Sequence, residues 1–85
     1  MSLRLRADVS TTQTDEGMVL LDERAGRYWQ LNRTGALILR ILLDGAALQD
    51  AAKTLAERHA VSAEQAAMDV TALVERLQTT GLVTA

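Results

Sequence analysis

Hydrophobic and polar residues alternate along the first third of the chain, and this alternation predicts three strands. From residue 3 to residue 11 polar residues alternate with a second set, which predicts a half-buried first strand. This set, expected on the buried face, is Leu3, Leu5, Ala7, Val9 and Thr11. Residues 18–21 are a short apolar run bounded by turn residues, and residues 27–31 follow a second turn. Three strands joined by short turns predict an antiparallel meander.

After Asn32 the apolar spacing changes to about 3.6 residues, which is typical of helices. Asn32 is a suitable N-cap for a first helix over residues 34–43. Apolar residues cover almost every face of this segment, so we expect it in the middle of the domain. Asp44–Gly45 would end this helix, since glycine suits the left-handed cap position. A second helix with a single apolar stripe is predicted over residues 48–59.

The third predicted helix begins at Ser62, because Ser62 and Gln65 have the spacing of a capping box. Gly81 would end this helix, and Leu82 and Val83 are expected to pack back on the core. The order of three strands followed by three helices indicates an α+β fold.

Length and charge exclude several kinds of protein. With 85 residues, the chain is expected to form a single domain over residues 1–85. It contains no cysteine, so it has neither a disulfide framework nor a thiolate metal site. A net charge of -2 disfavours nucleic-acid binding. The sequence contains no signal peptide and no apolar run long enough to span a membrane, so we expect a cytoplasmic protein.

Catalytic and metal-binding patterns are absent from the sequence. His59 is the only histidine, and its place near the end of a helix suits an interaction with the local carbonyl groups. The carboxylates at residues 15–16 and 22–23 lie in predicted turns, where solvation explains them. We therefore predict a protein that is not an enzyme and that binds no metal and no cofactor.

The two aromatic residues, Tyr28 and Trp29, lie side by side on the last strand of the meander. This strand is an edge unless something covers it, and an edge offers unpaired main-chain groups. By alternation Arg27, Trp29 and Leu31 share one face, whereas Tyr28 and Gln30 share the other. An apolar groove beside an open edge is the geometry of β-strand addition. The simple alternative is that Trp29 fills the core and the chain ends cover the edge.

The sequence resembles the PqqD-like family, the RiPP recognition elements, and in particular the stand-alone members from lasso peptide biosynthesis. The resemblance runs from about Leu3 to Val83. It rests on residues 26–32 (Gly-Arg-Tyr-Trp-Gln-Leu-Asn), on the apolar helix that ends at Asp44–Gly45, and on the closing residues 81–83. The resemblance implies a winged helix-turn-helix-like fold that recognises the leader segment of a ribosomally made precursor peptide.

In that family the leader adds as an antiparallel strand to the third strand and lies against the third helix. Carried over to this sequence, the resemblance implies a peptide-binding site with a strand side and a helix side. The strand side would be Arg27, Tyr28, Trp29, Gln30 and Leu31, and the helix side would be drawn from Asp69, Val70, Leu73, Arg76 and Leu77.

The resemblance also implies partners. The module would present the precursor to a separate leader peptidase, a cysteine protease of transglutaminase-like type, and a separate lasso cyclase would close the ring afterwards. The family member from pyrroloquinoline quinone synthesis serves a radical enzyme instead, and the residues leave that class of partner open.

Two other functions fit the order of elements. A winged-helix DNA-binding regulator is one, although residues 62–80 carry Glu64, Asp69 and Glu75 against Arg76 alone. For Asp69 and Arg76 themselves, a solvated helix face is the simple alternative to leader recognition. The other function is a homodimeric interaction module whose open edges pair with each other.

Overall fold

The structure, a computed structural model, describes residues 3–84 and contains five strands and three helices in that range. They are β1 (Arg4–Leu5), β2 (Val9–Thr14), β3 (Gly17–Asp22), β4 (Arg27–Asn32), α1 (Arg33–Leu43), α2 (Leu48–His59), α3 (Ala63–Thr79) and β5 (Val83–Thr84). Strands β2, β3 and β4 form an antiparallel sheet in that order, and β1 pairs with β5. The predicted α+β fold, a three-stranded meander followed by three helices, is confirmed.

The single strand predicted over residues 3–11 is wrong, because the chain turns between β1 and β2. The carbonyl of Arg6 accepts a hydrogen bond from the N–H of Val9 at 3.0 Å. The Arg6 guanidinium donates to the carboxylates of Asp8 and Asp22 and to the carbonyl of Gly81. The hydrogen bond from Arg6 holds the pKa of the Asp8 carboxyl below its ordinary value. A polar turn therefore separates two strands that belong to different sheets.

The two ends of the described chain bind each other. Arg4 pairs with Thr84 and Leu5 pairs with Val83 in an antiparallel register. Leu82 and Val83 are buried, which confirms that they pack back on the core. Because the ends pair in a sheet of their own, the alternative in which they cover the β4 edge is wrong.

Helix α1 lies at the centre of the core, as its apolar faces predicted. It contacts β3, β4 and both other helices. Ile38, Leu39 and Leu42 on α1 are almost completely buried. Asn32 caps the helix through its side-chain oxygen, which accepts from the N–H of Gly35 at 2.8 Å. The same cap ends β4, so the strand leads directly into the central helix.

Gly17 allows β3 and β4 to approach closely at the point where β4 meets α1. Its φ is 150°, a backbone conformation that residues other than glycine rarely adopt. A Cβ atom built on Gly17 would lie 2.0 Å from the carbonyl oxygen of Leu31 and 2.6 Å from the carbonyl carbon of Asn32. Both are main-chain atoms with little freedom to move, so this contact requires glycine.

Candidate binding groove

Strand β4 is an edge of the three-stranded sheet. It pairs with β3 on one side, and on its other side no strand of residues 3–84 pairs with it. The register places Leu20 opposite Trp29 and Leu21 opposite Tyr28. The strand predicted to carry the site is therefore open, as its position at the end of the meander indicated.

The register also determines which main-chain groups of β4 point outward. Thr14 and Gly17 close a two-residue turn, so they form a hydrogen-bonded pair of the β2–β3 ladder. Pairs alternate along an antiparallel ladder, so Met18, Leu20 and Asp22 direct their N–H and C=O groups to β4. Their partners Leu31, Trp29 and Arg27 direct theirs to β3. The N–H and C=O groups of the residues between them, Tyr28 and Gln30, face the open side.

Side chains on the inner face of β4 lie against the core and form one wall of a groove. Leu31 is buried and Trp29 is half-buried against the core cluster. Leu73 and Leu77 on α3 form the facing wall. The cleft between the two walls measures only about 20 Å³, roughly the space of one water molecule. A peptide side chain larger than a water molecule therefore needs more room than the narrow cleft offers in this conformation.

A wider cleft of about 370 Å³ continues this narrow one along α3 and the first turns of α1. The two clefts share Leu73 and Arg76, so they form one surface, which we name the β4–α3 groove. Its lining residues are Trp29, Gln30, Leu31, Asn32, Thr34, Gly35, Ile38, Asp69, Ala72, Leu73, Arg76, Leu77, Thr80 and Leu82.

Asp69 and Arg76 give the groove one charge of each sign. They lie seven residues apart on α3, which corresponds to about 10 Å along the helix axis. The side-chain amide of Gln65 donates to the carboxylate of Asp69 at 2.8 Å, which fixes its orientation. Arg76 is exposed and borders both parts of the groove. A ligand lying along α3 would meet the acidic group first and the basic group two turns later.

Three of the ten predicted site residues do not line the groove. Val70 is only 1% exposed and belongs to the core beneath α3. Tyr28 is 71% exposed on the outer face of the sheet, away from the helices. Arg27 is exposed at the start of β4, opposite Asp22. Arg27 and Tyr28 still belong to the open strand, so their main-chain groups remain part of the edge.

Sequence reasoning missed several lining residues. Ala72 and Thr80 continue the helical spacing of Asp69, Leu73, Arg76 and Leu77, so a longer stripe along α3 would have included them. Thr34 and Ile38 of α1 have no such signal, because their place in the groove depends on how α1 packs against α3.

Two other features, a membrane-spanning helix and a metal-ligand cluster, are absent from the described part of the chain. Within residues 3–84, no helix combines the length and the apolar character that a membrane crossing requires. The same residues contain no group of three or more acidic or histidine side chains able to hold a metal ion.

Comparison with known proteins gives a family and two similar structures. The model of the family described as coenzyme PQQ synthesis protein D (PqqD) matches residues 17–83. A solved structure described as lasso peptide synthetase B1 complexed with the leader peptide is 46% identical, with a TM-score of 0.94 over 100% of both chains. No curated protein matches the chain.

A second similar structure, TbiB1 in complex with the TbiA(beta) leader peptide, supports the fold. It is 20% identical, and its TM-score is 0.87 over 100% of this chain and 96% of the other. At this identity the likeness concerns the architecture alone. The architecture thus tolerates replacement of most of its residues.

Proposed function

We propose a function that proceeds from one premise: the chain belongs to the PqqD family. In this proposal the chain captures the leader segment of a ribosomally made precursor peptide of the lasso class. The leader adds as an antiparallel strand to β4 and places side chains in the β4–α3 groove. One observation carries the proposal: an open strand edge lies beside an apolar groove, in a chain 46% identical to a protein described with its leader peptide.

Main-chain hydrogen bonds at Tyr28 and Gln30 provide the first part of the binding energy. Each residue offers one donor and one acceptor toward the open side, so an added strand forms up to four hydrogen bonds with the pair. Each bond contributes about 0.5–1.5 kcal/mol net. These bonds are independent of the leader's side chains, so they fix the strand's direction and position and leave sequence preference to the groove.

The apolar walls of the β4–α3 groove provide the second part of the binding energy. An apolar leader side chain that displaces Trp29 from the narrow cleft packs between it and Leu77, both of which already contact the core. The indole of Trp29 then covers the inserted side chain, so the surroundings of the indole change on binding. Asp69 and Arg76 favour a leader whose charges are arranged in the opposite order along α3.

The proposal gives the chain a delivery role with no catalytic residue of its own. The bound leader is presented to a leader peptidase, a transglutaminase-like cysteine protease, and the processed core then passes to a lasso cyclase. We place this step in the cytoplasm, where ribosomes make the precursor.

A fluorescence titration tests the proposal directly. Trp29 is the only tryptophan, so its emission reports the groove without a label. We expect saturable binding of the leader peptide of the cognate lasso precursor, with a shift in Trp29 emission, and no response to a peptide of the same composition in scrambled order. Equal responses to both peptides, or no binding of the leader, would contradict the proposal. Tight binding of duplex DNA instead would support the regulator function, and a stable dimer unable to bind leader would support self-association.

A further inference from the structure

A second cleft, of about 240 Å³, lies between the β2–β3 turn, α1 and the end of α2. Four basic side chains line it: Arg33 and Arg40 from α1, and Arg58 and His59 from α2. We name it the basic cleft. Its remaining lining residues carry no charge, so no carboxylate faces the three arginines inside the cleft.

The basic cleft concentrates positive charge in an acidic protein. Three of the nine lysine and arginine residues line it, although the whole chain carries a net charge of -2. Asp15 and Glu16 lie on the adjacent turn but do not line the cleft. Among residues 3–84 the ion pairs within 4.0 Å involve Arg6 and Arg24 and none of the cleft arginines. The guanidinium groups therefore keep most of their hydrogen-bond donors for a ligand.

Helix stability explains only part of this cluster. Arg40 and Arg58 lie in the last turns of their helices, where a cation interacts favourably with the helix dipole. Arg33 begins α1, the end at which a cation is unfavourable, and the first turn contains no acidic residue. The Nε of Arg33 donates to the carbonyl of Asp15 at 2.9 Å, which holds the guanidinium beside the cleft. This hydrogen bond uses one donor of Arg33 to join α1 to the β2–β3 turn, and the other donors of the positioned guanidinium stay available to an anionic ligand.

Helix α1 separates the basic cleft from the β4–α3 groove. Arg33, Leu37 and Arg40 lie on the side of α1 that faces the cleft. Thr34 and Ile38 lie on the side that faces the groove. The two surfaces share no lining residue, so both can be occupied at the same time.

We propose that the basic cleft docks an acidic surface, with two or more carboxylates, on the enzyme that processes the bound leader. The inference rests on the proposed function, because it needs a leader to deliver. Arginine matches carboxylates with paired hydrogen bonds, and three arginines on two helices fix the angle of approach. A nucleic acid fits less well, because duplex binding requires neutralisation of several successive phosphates, and this cleft spans a short distance on an acidic protein.

A charge-reversal pair tests the inference. The variant R40E/R58E reverses two cleft residues, and R4E/K53E reverses two exposed cations outside it with the same change in net charge. Affinity of each leader-bound protein for the purified leader peptidase is measured by biolayer interferometry at 50 and 300 mM NaCl. We expect R40E/R58E to weaken the association by about tenfold or more and to reduce its salt dependence. We expect R4E/K53E to stay within about twofold of the wild type.

Leader affinity, measured separately by Trp29 fluorescence, distinguishes this inference from the proposed function. Unchanged leader affinity with lost peptidase affinity in R40E/R58E supports docking at the basic cleft. Equal losses in both double variants, unchanged peptidase affinity in R40E/R58E, or no association of the wild type overturn it. Wild-type binding of a 20-base-pair duplex or of pyrophosphate that R40E/R58E abolishes, with peptidase binding intact, overturns it too. Failure of the wild type to bind leader contradicts the proposed function instead.

Discussion

Replacing Gln30 with proline removes one outward main-chain donor from β4 and leaves the β3–β4 hydrogen bonds in place. The N–H of Gln30 faces the open side, whereas those of Trp29 and Leu31 face β3. Proline is tolerated at an edge position whose N–H is unpaired. Gln30→Pro therefore acts on the added strand and preserves the meander.

The size of the effect follows from the number of bonds lost. One N–H···O bond to the leader contributes about 0.5–1.5 kcal/mol, which corresponds to an increase of about 2- to 13-fold in Kd. The pyrrolidine ring also occupies the space of the leader's carbonyl group, so we expect the upper part of this range. Gln30→Ala measures the part that belongs to the side chain, which borders the narrow cleft.

Thr11→Pro is the matched control. Thr11 lies on β2, the opposite edge of the same sheet, and by the same alternation its N–H also faces outward. Both proline variants restrict φ in the same way, so their costs to the fold are comparable. Isothermal titration with the leader peptide gives Kd, and circular dichroism confirms that each variant is folded.

We expect a higher Kd for Gln30→Pro than for Gln30→Ala, and a wild-type Kd for Thr11→Pro. If Gln30→Pro is folded and its Kd equals that of Gln30→Ala, the leader does not pair with the main chain of β4. If Thr11→Pro weakens binding as much as Gln30→Pro, the leader uses the other edge or the effect is indirect.

Three further predictions follow from the packing. Trp29→Ala should weaken leader binding by about 2 kcal/mol in isothermal titration, because Trp29 forms a groove wall. Tyr28→Ala, on the outer face, should change leader binding little. Equal losses in the two variants would contradict the assigned faces. Gly17→Ala should lower the free energy of unfolding, measured in guanidinium, by more than about 2 kcal/mol, and Gly26→Ala should lower it by about 1 kcal/mol. Both glycines have positive φ, but only at position 17 does the added Cβ clash with the main chain. Equal losses would refute the clash. The depressed pKa of Asp8 stabilises the fold above its unfolded pKa, near pH 4, and this contribution disappears as pH falls through the folded pKa. The Tm difference between wild type and Asp8→Asn should therefore shrink as pH falls below about 4, and a difference that stays constant with pH would contradict this.

The sequence predicted those parts of the fold that depend on local spacing. The apolar faces of residues 34–43 placed α1 at the centre, and the capping pattern of Ser62 located the start of α3, where its oxygen accepts from Gln65 at 3.0 Å. The turn between β1 and β2 was not predicted, because the alternation of apolar and polar residues continues through it. What bends the chain is Arg6, whose partners lie as far as 75 residues away in the sequence.

The groove, like the fold, could be predicted only where it depends on local spacing. Alternation along β4 assigned Trp29 and Leu31 to the inner face, whereas the place of Leu73 and Leu77 in the groove was implied by the family resemblance. Spacing alone cannot give the rotation of a helix about its axis to within one residue, so Val70 was included although it lies in the core. The basic cleft was not predicted, because its arginines on α1 lie 18 or more residues from Arg58 on α2, and no local spacing connects them.

The pairing of β1 with β5 has a consequence for any fusion of this module to another polypeptide. Arg4 and Thr84 are direct neighbours, and the connection from α3 to β5 passes Leu82 at one end of the groove. A catalytic domain fused before or after the module would start from nearly the same point in space. Gene order in such a fusion therefore matters little for geometry, since either arrangement tethers the enzyme beside the same end of a captured peptide.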